Sequence, residues 1–253
     1  MSINKSKVYS EIKSLIFVLF LAFAIKTFAI QIYCVPTGSM KQTILDGDYL
    51  LSTKYSYGYS KYSFPITMNL FKGRIFGSQP NQGDIIIMEV PSKNIQYIKR
   101  LIGIPGDKVQ IINNVIHINN TPIKRKLVGS ITDDDGAKYL KYKETLPNNN
   151  SYYAYYTEGT FGVAKAEINV GPFYVPENHY FFMGDNRNQS NDSRYDLGYV
   201  PFENLIAKAH FIIFSDKLVL FRPGRNIFQD LSSIFSWFKA IRFNRIFKSL
   251  YEI

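Results

Sequence analysis

Tyr97-Ile98-Lys99-Arg100-Leu101-Ile102-Gly103-Ile104-Pro105-Gly106-Asp107 reads as an apolar strand that carries a lysine and breaks into a tight turn. Side chains alternate along a strand, so Lys99 shares a face with Tyr97 and Leu101, while Ile98, Arg100 and Ile102 face the other way. An amine held on an apolar face loses hydration, and burial disfavours its charged form. Lys99 is therefore a candidate for a depressed pKa. Similar short apolar runs lie on either side. Asp48 to Ser52 and Asp84 to Val90 follow Gly-Asp turns, and Lys108 to Ile112 and Val115 to Ile118 flank an Asn113-Asn114 hairpin turn. His179 to Met183 and Ala207 to Phe214 complete the set. No long helical period interrupts residues 41 to 220, so the expected fold is mainly β.

The chain has 253 residues, enough to bury a sizeable core, and a net charge of +10. Such a charge suits nucleic acid or anionic lipid. No zinc-finger spacing, ribonucleoprotein signature or basic zipper is present, so no nucleic-acid partner is expected and lipid is favoured. Cys34 is the only cysteine, which excludes an internal disulfide and a Cys-based metal site. His117, His179 and His210 lack ligand spacing and read as strand or surface residues.

The N-terminal region supplies the reason for lipid. Leu15 to Ile25 is unbroken apolar sequence, and apolar residues resume after Lys26-Thr27 as far as Val35. Together they make about 20 residues, enough to cross the hydrocarbon core as a helix. Lys26 costs roughly 2.5–3.5 kcal/mol if central and less if it snorkels. The rival reading is a cleavable leader, with Lys5, Lys7 and Lys13 ahead of Leu15 to Leu21 and a small-residue Ala22-Phe23-Ala24. Apolar residues continue past that cut, which favours an anchor. Basic residues before the segment place residues 1–13 in the cytoplasm and the rest, past an anchor over 14–35, on the outer side.

A β-rich domain is then expected over 36–220, with insertions at 54–80 and 124–170. The first has four basic residues, no acidic ones and seven aromatics, a composition that suits a membrane interface or a partly buried loop. The second is polar, Tyr-rich and turn-rich, and reads as accessory. Its Asp133-Asp134-Asp135-Gly136 lacks calcium-loop spacing and reads as a solvated turn. The tail, 221–253, has six basic and two acidic residues. Leu231, Ile234, Phe235, Phe238 and Ile241 form one helical stripe, and Phe243, Ile246, Phe247 and Leu250 a second, rotated one. An amphipathic interfacial helix broken near Arg242 accounts for both, and a terminal helix docked on the domain is the alternative.

Directly after the anchor comes Pro36-Thr37-Gly38-Ser39-Met40, and near the far end of the domain Gly184-Asp185-Asn186-Arg187-Asn188-Gln189-Ser190-Asn191-Asp192-Ser193-Arg194. A serine hydroxyl needs a base before it attacks. No histidine is placed for that and no Gly-x-Ser-x-Gly elbow exists, whereas a neutral Lys99 could serve. Gly38 permits a tight backbone shape, and the Thr37 hydroxyl and Ser39 N–H could face an oxyanion.

Taken together, these three runs resemble the signature boxes of bacterial type I signal peptidases, membrane-bound Ser–Lys enzymes that remove signal peptides. The match covers the core from about Val35 to Ser215, with Thr37 standing where many members have serine. The resemblance implies Ser39 as nucleophile and Lys99 as general base, with Ser190 orienting the Lys99 amine. It pairs Asp185 with Arg100 and Asp192 with Arg194 as structural support. It implies a β-rich domain at the bacterial inner membrane, no metal or cofactor, and preprotein substrates with small side chains at −1 and −3. A monomer on anionic phospholipid is expected. A Ser–Lys peptidase of another secretion or conjugation system, and a catalytically silent lipid-binding scaffold, are the competing readings.

Overall fold

The computed structural model describes residues 5–64, 71–90, 93, 95–157, 169–217 and 238–252. It opens with α1 (Lys5–Ala24), which runs into one wide π turn over Ile25–Ala29. Lys7–Ala29 is long and apolar enough to cross a membrane. Its large side chains from Leu15 to Phe23 stand exposed, as lipid contact requires. The helix stops at Ala29, short of the expected boundary at 35, because Ile30, Ile32 and Tyr33 instead form a strand. The final carbonyls of the helical segment are taken up by the β-rich body. Lys54 Nζ donates to Thr27 O (3.4 Å), Tyr59 Oη to Phe28 O (2.6 Å) and Lys54 N–H to Ala29 O (3.0 Å).

The strands in chain order are β1 (Ile30–Cys34), β2 (Asp48–Thr53), β3 (Ile85–Val90), β4 (Ile95–Gly103), β5 (Lys108–Ile112), β6 (Val115–Ile118), β7 (Thr121–Pro122), β8 (Lys124–Thr132), β9 (Lys138–Thr145), β10 (Ser151–Thr157), β11 (Val170–Tyr174), β12 (His179–Met183), β13 (Val200–Pro201), β14 (Leu205–Ser215) and β15 (Lys248–Ser249). The largest sheet has the order β1-β2-β14-β3-β4-β12-β13, with β15 also on β14. Its pairings are antiparallel. Ile85 to Met88 are buried on both faces, which explains why β3 reads as a continuous apolar run. A second sheet, β11-β5-β6-β7, contains the expected hairpin, with Asn113 and Asn114 at φ of 50° and 63°.

The region read as an accessory insertion at 124–170 folds, over 124–157, into a third sheet of order β10-β9-β8. Tyr139, Tyr152, Ala154 and Tyr155 are buried there, so its tyrosines serve a core. In the 54–80 stretch, Arg74 donates to the carbonyls of Tyr57, Gly58 and Phe202, and Phe28 packs edge-on against Tyr59 and Phe64. Residues 65–70 lie outside the description.

The tail departs from expectation. Leu231, Ile234 and Phe235 lie outside the described residues, and Phe238 to Ala240 are helical. The second stripe is not a helix. Phe243–Arg245 make a single 3-10 turn, and Lys248–Ser249 add as β15 to β14. Leu250 enters the core, while Phe243 and Phe247 are exposed. The reason is a specific anchor. The Arg245 guanidinium is buried against Asp48, with Nη2 to Oδ2 at 2.6 Å, and the Tyr251 hydroxyl donates to Ala209 O. These contacts outweigh a helical period that would have left Asp48 without its cation.

Candidate active site

β1 delivers the chain to Thr37, which is extended (φ −134°, ψ 144°), and Gly38–Met40 then curl into a 3-10 turn. Lys41 N–H closes that turn on Gly38 O at 2.9 Å. Met40 and Val35 are buried in the core, so the turn is pinned from beneath while Ser39 stays half-exposed. From β4, Lys99 reaches the same point. Its Nζ lies 2.7 Å from Ser39 Oγ and 3.1 Å from Ile98 O, and sits 4.8 Å from the Tyr97 ring centre. Only 3% of Lys99 is exposed. Burial pushes its amine down to about 8, against the opposing pull of the Asp192 and Asp185 carboxylates. A lysine so placed is neutral often enough near neutrality to accept a proton from the hydroxyl it touches.

The loop Gly184 to Arg194 completes the constellation. Asn186 N–H donates to Ser39 O (3.1 Å) and the Asn186 side-chain amide to Gly38 O (3.0 Å), so the loop holds both carbonyls of the serine turn. This approach needs Gly184: a Cβ there would overlap the Ser190 side chain and the Ser39 carbonyl oxygen. Arg100 and Asp185 form a buried bidentate pair, Nε to Oδ1 at 2.8 Å and Nη2 to Oδ2 at 2.7 Å. Arg194 and Asp192 pair likewise, both bonds at 2.8 Å. Burial works against the Asp192 charge, but Arg194 above all holds its carboxyl below the usual range. Ser190 differs from expectation. Its buried hydroxyl makes no hydrogen bond to Lys99, and Ile98 O takes the second contact with the amine. The hydroxyl instead faces Asp192, whose carboxyl it helps to hold down.

Several site residues carried no signal in the sequence. Thr43 Oγ1 donates to Asp185 Oδ2 at 2.7 Å and so ties the serine segment to the Arg100 pair. Arg187 is fully buried against Glu144 (2.7 Å) and the Tyr152 hydroxyl (3.0 Å), which docks the third sheet on the Gly184–Arg194 loop. The Asp133-Asp134-Asp135-Gly136 turn is solvated over 134–136, as expected, but its Asp133 carboxylate is covered and, with Asp135, holds Lys41. Position in an element of the fold, rather than residue type or spacing, defines these residues. Among the histidines, His210 bonds Thr53 Oγ1 (2.7 Å) and His117 and His179 contact local carbonyls.

Ser39, Thr37 and Lys99 face a cleft of about 470 Å³, walled by Tyr33 to Pro36 on one side and Ile95 to Ile98 on the other, with Ile87 at its floor. The lining is mostly apolar. β4 pairs with β3 along Ile95 to Arg100 but meets β12 only from Arg100 onward. Among the described residues, no strand covers the other edge of Ile95 to Lys99.

Comparison with known proteins identifies the family. A family model described as "Signal peptidase, peptidase S26" matches residues 8–214. Signal peptidase I of Rickettsia prowazekii is 48% identical over 258 residues, covering 100% of this chain and 98% of that protein. Signal peptidase I of Rickettsia bellii is 50% identical over 255 residues, covering 99% and 88%. A crystal structure of a signal peptidase I from Enterococcus faecalis matches at 24% identity over 52% of this chain and 97% of that one, with a TM-score of 0.33. Matched by that family model over most of its length and by these relatives nearly end to end, the chain belongs to the signal peptidase family, peptidase S26.

Proposed function

We propose that this protein removes N-terminal signal peptides from exported preproteins, with Ser39 as nucleophile and Lys99 as general base. The observation that carries the reading is the 2.7 Å approach of a buried, depressed-pKa amine to a half-exposed serine hydroxyl. Neutral Lys99 takes the Ser39 proton as Oγ attacks the scissile carbonyl. The Ser39 N–H and the Thr37 hydroxyl stabilise the oxyanion. Protonated Lys99 gives its proton to the leaving amine, and once neutral again activates the water that releases the acyl-enzyme. Arg100–Asp185 and Arg194–Asp192 tie the Gly184–Arg194 loop in place beside β4, and their carboxylates, Asp192 and Asp185, oppose the loss of basicity that burial imposes on the amine.

The open edge of Ile95 to Lys99 supports binding of the substrate as an added extended strand. A shallow apolar cleft suits small side chains at −1 and −3. The apolar helix supports a single membrane crossing, with residues before it cytoplasmic and the β-rich body on the outer side of the bacterial plasma membrane. Its short link to Ser39, β1 plus the Val35–Thr37 connection, keeps the nucleophile near the lipid surface where a signal peptide emerges. Anionic phospholipid fits the +10 charge.

The test is cleavage of a preprotein by the full chain in detergent or liposomes, comparing wild type, Ser39→Ala and Lys99→Ala. Both variants should be inactive. Cleavage by either at the wild-type rate would remove the Ser–Lys mechanism.

A further inference from the structure

The third sheet meets the nucleophile turn at a contact that the proposed chemistry does not use. Lys41 follows Ser39 by two residues, and its N–H closes the Gly38–Met40 turn. Its side chain reaches the tip of the β8–β9 hairpin, where Nζ lies 2.7 Å from Asp133 Oδ2 and 3.1 Å from Asp135 Oδ2. The Asp133 carboxylate is 6% exposed and built in. Its Oδ1 accepts from the N–H groups of Asp135 (3.0 Å) and Ala137 (2.8 Å), which fixes the tip and leaves Oδ2 for the lysine. On the other side of Ser39 the backbone is held at Gly38 O by the Asn186 side-chain amide (3.0 Å), while a Cβ on Gly38 would meet no atom within 4 Å. The turn is thus held at its carbonyls by the Gly184–Arg194 loop and at Lys41 by the hairpin tip.

The same sheet grips the other loop of the site. Tyr155 N–H donates to Asp185 O (2.8 Å), Arg187 N–H to Tyr155 O (2.9 Å), and Arg187 is buried against Glu144. One sheet therefore touches both segments that surround the Ser39–Lys99 contact.

We propose that the β8–β9 hairpin tip is a clamp that sets the position of Ser39, with Asp133 and Asp135 acting through Lys41 as positioning residues. This rests on the Ser39–Lys99 mechanism above. Proton transfer requires Ser39 Oγ to stay within hydrogen-bond reach of Lys99 Nζ, and a misplacement of about 1 Å costs roughly 100-fold in rate. The Lys41 ion pair is partly exposed at 26%, so its share of folding stability is small. A clamp of this kind loses rate without losing the fold.

The experiment uses the full chain in detergent micelles with a preprotein substrate, and follows kcat, KM and the melting temperature. Lys41→Met and Asp133→Asn should each lower kcat about tenfold with KM and melting little changed. The double variant Lys41→Met/Asp133→Asn should be no slower than Lys41→Met alone, because Lys41→Met already removes the contact that Asp133→Asn weakens. Lys41→Arg, whose cation still reaches both carboxylates, should keep the wild-type kcat. Lys217→Met, which breaks the exposed Lys217–Asp134 pair on the same hairpin, should also leave kcat unchanged. Wild-type kcat in both single variants overturns the clamp, as does a multiplicative loss in the double variant or a Lys41→Arg as slow as Lys41→Met. If Lys41→Met melts early, the Asp133→Asn and Lys41→Arg rates decide. Ser39→Ala run in parallel separates the two readings: an active Ser39→Ala refutes the mechanism, whereas an inactive Ser39→Ala beside a fully active Lys41→Met refutes the clamp alone.

Discussion

Titrating Lys99 tests the site most directly. Burial lowers its amine from 10.5 to about 8. At pH 7 about one Lys99 in ten is then neutral, against about one in three thousand for an unperturbed lysine, so burial raises the population of competent base roughly 300-fold. The dependence of kcat/KM on pH should follow that fraction, rising about tenfold per unit from pH 5.5 to 7 and levelling above 8. Asp192 and Asp185 oppose the shift, so Asp192→Asn should move the midpoint to lower pH. The assay is initial-rate cleavage of a preprotein by the detergent-solubilised chain across pH 5.5 to 9.5. A profile flat down to pH 5.5, or an alkaline shift in Asp192→Asn, would refute Lys99 as the base.

The same shift has a stability cost with a definite sign. The folded pKa lies below the unfolded one, so the unfolded chain binds more protons between about pH 8 and 10.5, and stability rises with pH across that window. Below pH 8 both states are protonated and the full cost, on the order of 3 kcal/mol, is present. Lys99→Met should therefore be inactive yet more stable than wild type at pH 7, by about 1–3 kcal/mol once the lost contacts to Ser39 and Ile98 O are set against it. Denaturant melts at pH 7 and pH 10 would check this. A Lys99→Met less stable than wild type at pH 7 would mean that the amine is not held at a cost.

Three further outcomes follow from the frame around the dyad. Gly184→Ala should lower kcat/KM about 100-fold or more, because the added Cβ forces the loop off Ser190 and Ser39 O; near-normal cleavage would show that the loop yields easily. Glu144→Gln should destabilise the chain by about 3–5 kcal/mol by stranding the buried Arg187, and Glu144→Leu/Arg187→Met should recover most of that in thermal melts. Truncation after Ala240 should cost a comparable amount, on the order of 3–5 kcal/mol, because it removes Arg245 from Asp48 along with Leu250 and Tyr251; unchanged melting would show that the C-terminal segment is dispensable to the fold.

The parts of this protein legible in its sequence are those where chemistry or periodicity restricts the residue. A base for serine without a usable histidine leaves few options, and Lys99 stands out because it interrupts an apolar strand face. β3 and the Asn113-Asn114 hairpin are legible because burial and left-handed backbone each demand particular side chains. The helix end at Ala29 was not legible, since Ile30 to Cys34 are as apolar as the anchor before them; pairing with β2 and the capping by Lys54 and Tyr59 decide it. The stripe at 243–250 had a helical period, but Arg245 has a buried carboxylate within reach and strand β14 has an open position beside it.

The harder case is the third sheet, whose polar, Tyr-rich sequence looks like a surface elaboration. Its function in the fold comes from contacts made at a distance. Lys41 and Asp135 are 94 residues apart, and Glu144 and Arg187 are 43 apart. Nothing in a charged residue on a strand or turn announces which distant cation it will meet. Arg187 had a visible neighbour in Asp185, yet Asp185 is committed to Arg100, and Glu144 satisfies Arg187 instead. A buried arginine must find a carboxylate to be tolerable. The short, fixed spacing of the site loops therefore requires a second layer of acidic residues from elsewhere in the chain. That requirement is readable in advance, and the sheet that meets it is not.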